Sequence, residues 1–357
     1  MARGIGALRR RAVRWEGLLI LLILVVAGLN SRLSPYFLDG TNLLRSTSDF
    51  LELGIMMLPM VFIIVTGNID LSIASTLGLS ASLMGWLFMA GWNIWLAAAL
   101  ALLVSGGAGL LNGVLIARMR LPALAVTLGT LSFYRGLAYV LLGDQAARGY
   151  PDAFAYLGQG TLGQTQVPFA LLVFVVLALI FGLVLHKTTF GRYLYAIGNN
   201  EAAARYAGVP VARIKITLYV LSAVMAALAG FILAARYGST RPDIGTGLEL
   251  TVITITVLGG VSIFGGSGTM VGAVLALILV GILRFGMGLV NLQGPVQDTV
   301  IGLLLILSIL LPWLGSRLAA RLEWRRAALW PTAGAVLVAL LFGLFFFWSR
   351  GLILARP

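Results

Sequence analysis

Residues 168–215 read PFALLVFVVLALIFGLVLHKTTFGRYLYAIGNNEAAARYAGVPVARIK. The first nineteen contain no Asp, Glu, Lys or Arg, and a helix needs about 20 mostly apolar residues to cross the hydrocarbon core. At His186 and Lys187 the character changes. The next stretch carries Lys187, Arg192, Glu201, Arg205, Arg213 and Lys215 before apolar residues resume. A span that empties into a basic loop and returns to a second span is the pattern of a chain that crosses a membrane repeatedly.

The rest of the sequence repeats it. Of 357 residues 60% are apolar and 10% charged, and the mean hydropathy is +1.01. A soluble domain carries about 25% charged residues, so there are too few here to coat a globule. The 44 glycines suit helices that approach closely in lipid. With no cysteine and one histidine, His186, disulfides, thiolate chemistry and histidine-rich metal sites are excluded. Apolar runs near 17–37, 52–66, 72–90, 94–117, 121–142, 168–186, 216–236, 248–264, 269–290, 295–313 and 327–349 predict an all-α transmembrane bundle of ten or eleven spans. The chain then divides into a basic segment 1–16, a ten-helix body 17–315 containing loop 187–215, and 316–357, a basic loop with an extra span. The N-terminal segment lacks a small-residue cleavage site after its apolar run, so the first span is read as retained.

Orientation follows from charge. With the N-terminus in the cytoplasm, inner segments hold Arg3, Arg9, Arg10, Arg11, Arg14, Arg118, Arg120, Lys187, Arg192, Arg205, Arg213, Lys215, Arg317, Arg321, Arg325 and Arg326, sixteen of the 25 basic residues. The net charge of +13 therefore tracks one membrane face and does not mark a nucleic-acid surface. Trp330 and Trp348, roughly 27 Å apart at the helical rise, match aromatic belts at the two ends of the eleventh span.

Within loop 187–215 the residues spell one short helix. Asn199 or Asn200 can cap its start, and Glu201 sits where the helix dipole favours an anion. Arg205 follows Glu201 at i+4. Gly208 can end the helix in the left-handed conformation, and Pro210 bars its resumption. It is either an ordinary capped loop helix or a docking helix for a cytoplasmic partner, and Ala202 and Ala203 belong to it.

Two apolar segments are broken by glycine. TGNIDLSIASTLGL (66–79) contains Gly67, Asn68, Asp70 and Ser72; LGGVSIFGGSGTMVG (258–272) contains Gly259, Gly260, Gly265 and Gly266. Such paired interruptions mark transport pathways in many carriers; tight turns between hairpin helices are the alternative. Asp70 is read as the cap of the helix that follows it. Arg135, Glu249, Arg284 and Asp298 lie in or near spans and are read as paired or snorkelling, with no proton-relay chain. GLVLHKTT (182–189) has His186 where a phosphate-binding loop needs glycine, and GGSGTMVG (265–272) lacks the spacing and βαβ context of a dinucleotide fingerprint. No nucleophile–base pair emerges, so any hydrolysis belongs to another chain.

The runs TGNIDLSIAS (66–75), TLGTLSFYRGLAYVLLGDQ (127–145), FGRYLYAIGNNEAAARYAGVPVARIKI (190–216) and VLGGVSIFGGSG (257–268) together resemble the permease subunits of ribose-type ABC sugar importers. LHKTTFGR (185–192) and GSTRPDIG (238–245) are most similar to the rhamnose and furanosyl-autoinducer branch. The resemblance implies an identical or paralogous permease partner, cytoplasmic ATPase subunits that bind the ATP and Mg, and a periplasmic or extracellular sugar-binding protein. It implies that Asn199 to Gly208 form the coupling helix, and that this chain carries no cofactor. The family's second glycine is replaced here by Asn68, and the eleventh span exceeds the usual ten. An ATP-independent secondary transporter or facilitator is the competing reading. Because the broken segments are aliphatic and glycine-rich, the pathway is expected to offer few fixed polar groups, with selectivity in the external binding protein.

Overall fold

The computed structural model of the chain describes residues 2–304, 306 and 310, with side chains from Trp15 onward. The eleventh span expected at 327–349, and the basic residues after 316, lie outside them.

The helices in chain order are α1 (Ala2–Leu33), α2 (Gly40–Thr47), α3 (Leu51–Val65), α4 (Ile73–Met89), α5 (Ile94–Ala117), α6 (Ala123–Leu142), α7 (Asp152–Gln159), α8 (Phe169–Lys187), α9 (Thr189–Asn199), α10 (Glu201–Tyr206), α11 (Val211–Tyr237), α12 (Leu248–Leu258) and α13 (Met270–Leu289). Residues 294–304 are helical again. One two-residue antiparallel pair interrupts the all-α pattern, β1 (Ala147–Arg148) with β2 (Ser239–Thr240). It joins the two segments that follow α6 and α11 at one end of the bundle.

Helices α3 and α11 form the centre. All 15 residues of α3 are buried, which explains why it has no polar face: neighbours surround it. Helix α11 packs on α5, α3, α4 and α7. By contrast only 22–28% of the apolar windows of α1, α5, α6 and α8 are buried, leaving Leu24, Leu103, Val140, Leu179 and Leu183 on outward faces. An apolar exterior over a buried core is what a bilayer demands of a soluble fold's logic.

Among the described residues six helices are long and apolar enough to cross a membrane, or seven if α2 and α3, bent by 51°, are one span. Helices α4 and α12 are shorter. The expected span 248–264 is not one helix: α12 has 11 residues, roughly 16 Å at 1.5 Å per residue, and closes at Leu258. The remaining depth is taken by the loop before it. Residues 241–247 turn back beside α4, so that Gly245 packs on Leu77 and the carbonyls of Pro242 and Ile244 accept hydrogen bonds from Arg135 in the middle of α6. Gly245 and Gly247 hold φ of +74° and +84°, conformations that let so short a segment reverse. The hydropathy reading 248–264 joined α12 to the turn 259–264 that follows it and left 241–247 as a connection.

Candidate functional site

Loop 187–215 contains two helices where one was expected. Thr188 caps α9 by accepting from the Gly191 N–H. On α9 Gly191, Leu194 and Ile197 are buried while Arg192 and Tyr193 are exposed. This amphipathic period is legible in FGRYLYAIG. Helix α10 then projects beyond it. Asn200, not Asn199, is its cap: Asn200 Oδ1 accepts from the Ala203 N–H at 2.9 Å, whereas Asn199 ends α9 and donates to the Tyr195 carbonyl. Gly208, at φ +83°, turns the chain towards Pro210 and α11.

Glu201 makes two ion pairs, with Arg205 at 3.0 Å and with Lys215 of α11 at 2.7 Å. Partial burial raises its carboxyl's pKa, but the hydrogen bonds and charges of Lys215 and then Arg205 outweigh that and hold it below the ordinary carboxylate value. The helix is thereby braced against the first turns of α11. Ala204 is buried beneath it, while Ala202, Ala203 and Arg205 are exposed. Tyr206 is 91% exposed, an aromatic ring with no intramolecular reason to stand there. The sequence reading missed it; an aromatic among small residues in EAAARYAG was the available signal.

The two glycine-broken segments meet beneath α9. Gly266 donates its N–H to the carbonyl of Val65 at 2.9 Å. Gly265 lies on Gly67, and Gly198 is wedged against Val65 and Gly266 so closely that a Cβ would collide with both. Tyr195 of α9 donates its hydroxyl to the Gly268 carbonyl at 2.7 Å, and burial pushes that phenol up to about 12. Asn68 folds its amide back onto Thr66. Gly67, Gly265 and Gly266 thus form one knot at the end of the bundle bearing α10. Gly259 and Gly260 lie to one side of it, Gly259 against Ala273 of α13 and Gly260 against Trp15, whose indole N–H caps the Leu258 carbonyl. Simple hairpin turns do not describe the first break, since α4 packs on α5, α6 and α11.

Asp70 is not the cap of α4. Ser72 holds that position without a side-chain cap bond, and Asp70, two residues earlier, is buried among hydroxyls. Its Oδ1 accepts from the N–H and Oγ of Ser72, and its Oδ2 accepts from Ser222 Oγ of α11 at 2.7 Å. The network continues from Asn112 Nδ2 to Ser72 Oγ and from Tyr134 Oη to Asn112. It ties α4, α5, α6 and α11 together, and hydroxyls rather than a cation are the partners of the Asp70 carboxyl among the described residues.

At the opposite end Arg236 of α11 pairs with Glu52 at 2.8 Å and Asp49 at 2.9 Å. Arg284 pairs with Asp298 at 2.9 Å, the first of the two alternatives, pairing or snorkelling, with a partner the sequence did not name. Arg135 does otherwise: it neither snorkels nor meets a carboxylate but donates to the carbonyls of Pro242, Ile244 and Ala74. Glu249 stands in the first turn of α12. Asp49, Glu52, Arg236 and Arg284 line a cleft of about 360 Å³. Its walls carry charged side chains, whereas the buried polar residues of α12 are the threonines Thr251, Thr254 and Thr256.

Residues 42–309 match the family described as branched-chain amino acid transport system / permease component. Among curated proteins the chain is 39% identical, over 88% of its length and 95% of the relative's, to the autoinducer 2 import system permease protein LsrD of Klebsiella pneumoniae. The LsrD proteins of Enterobacter sp. strain 638 and Yersinia enterocolitica are 38% and 39% identical, over 88% and 83% of this chain and 96% and 91% of theirs. No solved structure matches the chain.

Proposed function

The chain belongs to the branched-chain amino acid transport system / permease component family, and from that membership we propose that it is the membrane-spanning permease of an ATP-driven importer in a bacterial cytoplasmic membrane. The proposed cargo is autoinducer 2 or a related monosaccharide-like solute, after the relatives' names. A separate ATPase subunit binds ATP and Mg; an identical or paralogous permease completes the membrane unit, and an external binding protein delivers the solute.

The observation that carries the reading is the mounting of α10. A two-turn helix, capped by Asn200 and braced by Glu201–Lys215, offers Ala202, Ala203, Arg205 and Tyr206 to a partner. Helix α9, which leads directly into α10, lies on the knot where both broken segments join, so that displacement of α10 is passed to α3 through α9 and Gly198 and to α11 through Lys215. The core is close-packed, and such elements move as bodies. With the basic loops inside, α10 and the N-terminus face the cytoplasm, and the cleft at Arg236 faces outward. The broken segments then act as the joint between coupling helix and pathway.

Proteoliposomes containing the permease, its partner permease if one is required, the ATPase and the binding protein test this. Uptake of autoinducer 2 should require ATP and the ATPase subunit. Undiminished uptake by the permease without either overturns the importer reading in favour of a facilitator.

A further inference from the structure

We propose that the cleft enclosed by the end of α11, the start of α3 and the dipping loop 241–247 is a binding site for a neutral, polyhydroxylated solute of monosaccharide size. The inference rests on the importer reading and adds to it a place on this chain where the solute is received.

Size and shape come first. About 360 Å³ lies at the small end of ligand pockets, which run to about 300–1,000 Å³. The wall formed by 241–247 is irregular backbone that reaches past the outer turns of α4, as its contacts with Leu77 and Arg135 show. Within membrane depth, such backbone persists only against protein or a water-filled cavity, and here one side is protein and the other is the cleft.

Chemistry narrows the ligand. The lining balances Asp49, Glu52 and Asp243 against Arg236, Arg241 and Arg284, so it selects neither a cation nor an anion. Arg236 is occupied by Glu52 and Asp49 and fixes the floor. Arg241 and Asp243 are loosely held at 3.6 Å and largely exposed. Arg284, held by Asp298 at 2.9 Å, completes the basic side of the lining. Hydroxyl groups of a polyol donate to carboxylates and accept from guanidinium N–H, so one small molecule can serve both classes of wall. Leu233 and Ile244 add apolar surface for the C–H face of such a solute. The cleft also opens at the far end of α11 from Lys215, the residue braced by Glu201, so one helix of 27 residues, roughly 40 Å long, joins it to α10.

The chain has no cysteine, so a single Thr246→Cys gives it one reporter on the exposed rim, read against the complex without that substitution. Its modification by a charged methanethiosulfonate is timed in the assembled complex in lipid, with and without autoinducer 2 or D-ribose. A solute at about four times its Kd leaves one-fifth of sites free, so the rate should fall about fivefold. Gln164→Cys, on an exposed loop away from the cleft, should react at an unchanged rate. Unprotected Thr246→Cys in a complex whose wild-type form takes up the same solute overturns the cleft and leaves the importer standing. Protection without any uptake keeps the cleft and removes the importer reading. Equal slowing at both cysteines also overturns the site, because it reports a global change.

Discussion

Gly266 donates its backbone N–H to the Val65 carbonyl at 2.9 Å, joining the second broken segment to the last residue of the helix that leads into the first. Val65 ends α3, so its carbonyl has no intrahelical partner, and a residue from the other half of the chain supplies the donor. Gly266 can do so because its φ is +76°, where a side chain would be strained. Gly198, one residue before the end of α9, closes over the same bond.

Gly198→Ala should therefore damage both stability and coupling. The added methyl collides with backbone at Val65 and Gly266, which cannot yield as a side-chain tip would; overpacking costs about 1–3 kcal/mol. Gly259→Ala meets the backbone of α13 and should behave similarly, whereas Gly288→Ala meets open space. Thermal unfolding in lipid nanodiscs should show lower midpoints for the first two variants and none for the third. Equal midpoints in all three would mean that the knot has room the contacts deny.

A charge swap between Glu201 and Arg205 should fail to preserve coupling. Glu201→Lys with Arg205→Glu restores the i,i+4 pair but sets the new ammonium against Lys215, now 2.7 Å from a carboxylate. Adding Lys215→Glu should recover much of the loss. The readout is solute uptake per ATP hydrolysed, and full coupling in the double variant would show that Lys215 braces nothing. The sign of the pH effect follows from the lowered pKa of Glu201. Its ion pairs are complete above its ordinary value of 4.5 and are lost as pH falls through the lower folded value. Coupling should therefore be insensitive to this residue from about pH 8 down to about 5.

Much of the architecture was legible because lipid imposes it. Nine expected spans coincide with α1, α3, α4, α5, α6, α8, α11, α12 and α13, although α12 fills only part of its interval. The Glu201–Arg205 pair and the ends of α10 were written in local chemistry, where capping and i,i+4 rules apply. What escaped was non-local. Lys215 looked like one more inner-face cation, and only the fold brings it onto Glu201. Asp70 carried a good capping residue's chemistry, but its partner Ser222 lies far along the chain on α11. The dipping loop was hidden because RPDIGTG reads as an ordinary connection until Arg135 is found inside the bundle beneath it.

Asp70→Asn should be mild and Asp70→Ala severe. Asparagine keeps an acceptor for Ser72, and the Ser222 hydroxyl can rotate to accept from its amide. Alanine leaves those buried hydroxyls without their acceptor, at about 1–3 kcal/mol for each unsatisfied group. A double-mutant cycle with Ser222→Ala should give a coupling of at least about 0.5 kcal/mol, since directly bonded residues are not additive. Strict additivity would show that the 2.7 Å contact contributes nothing to stability.

Arg135→Lys should free the dipping loop while leaving the helices in place. The guanidinium holds three carbonyls at once, Pro242 at 2.7 Å and Ile244 at 2.9 Å through Nη1 and Ala74 at 3.1 Å through Nη2. It lies against Gly78 of α4, where any Cβ would obstruct it. A lysine has one nitrogen and cannot span both the loop and the first turn of α4, so this exchange is not conservative. Losing one such bond costs about 1.5–3 kcal/mol for a charged donor, and about 1.4 kcal/mol already corresponds to tenfold in an opening equilibrium. Amide hydrogen exchange across 243–248 should therefore quicken by about tenfold or more in the variant. Exchange in loop 161–166, which Arg135 does not touch, should stay as it is. Unchanged exchange at 243–248 would mean that the glycines and β2 alone fix the loop, and an equal rise in both loops would mean that the substitution loosened the bundle rather than its strap.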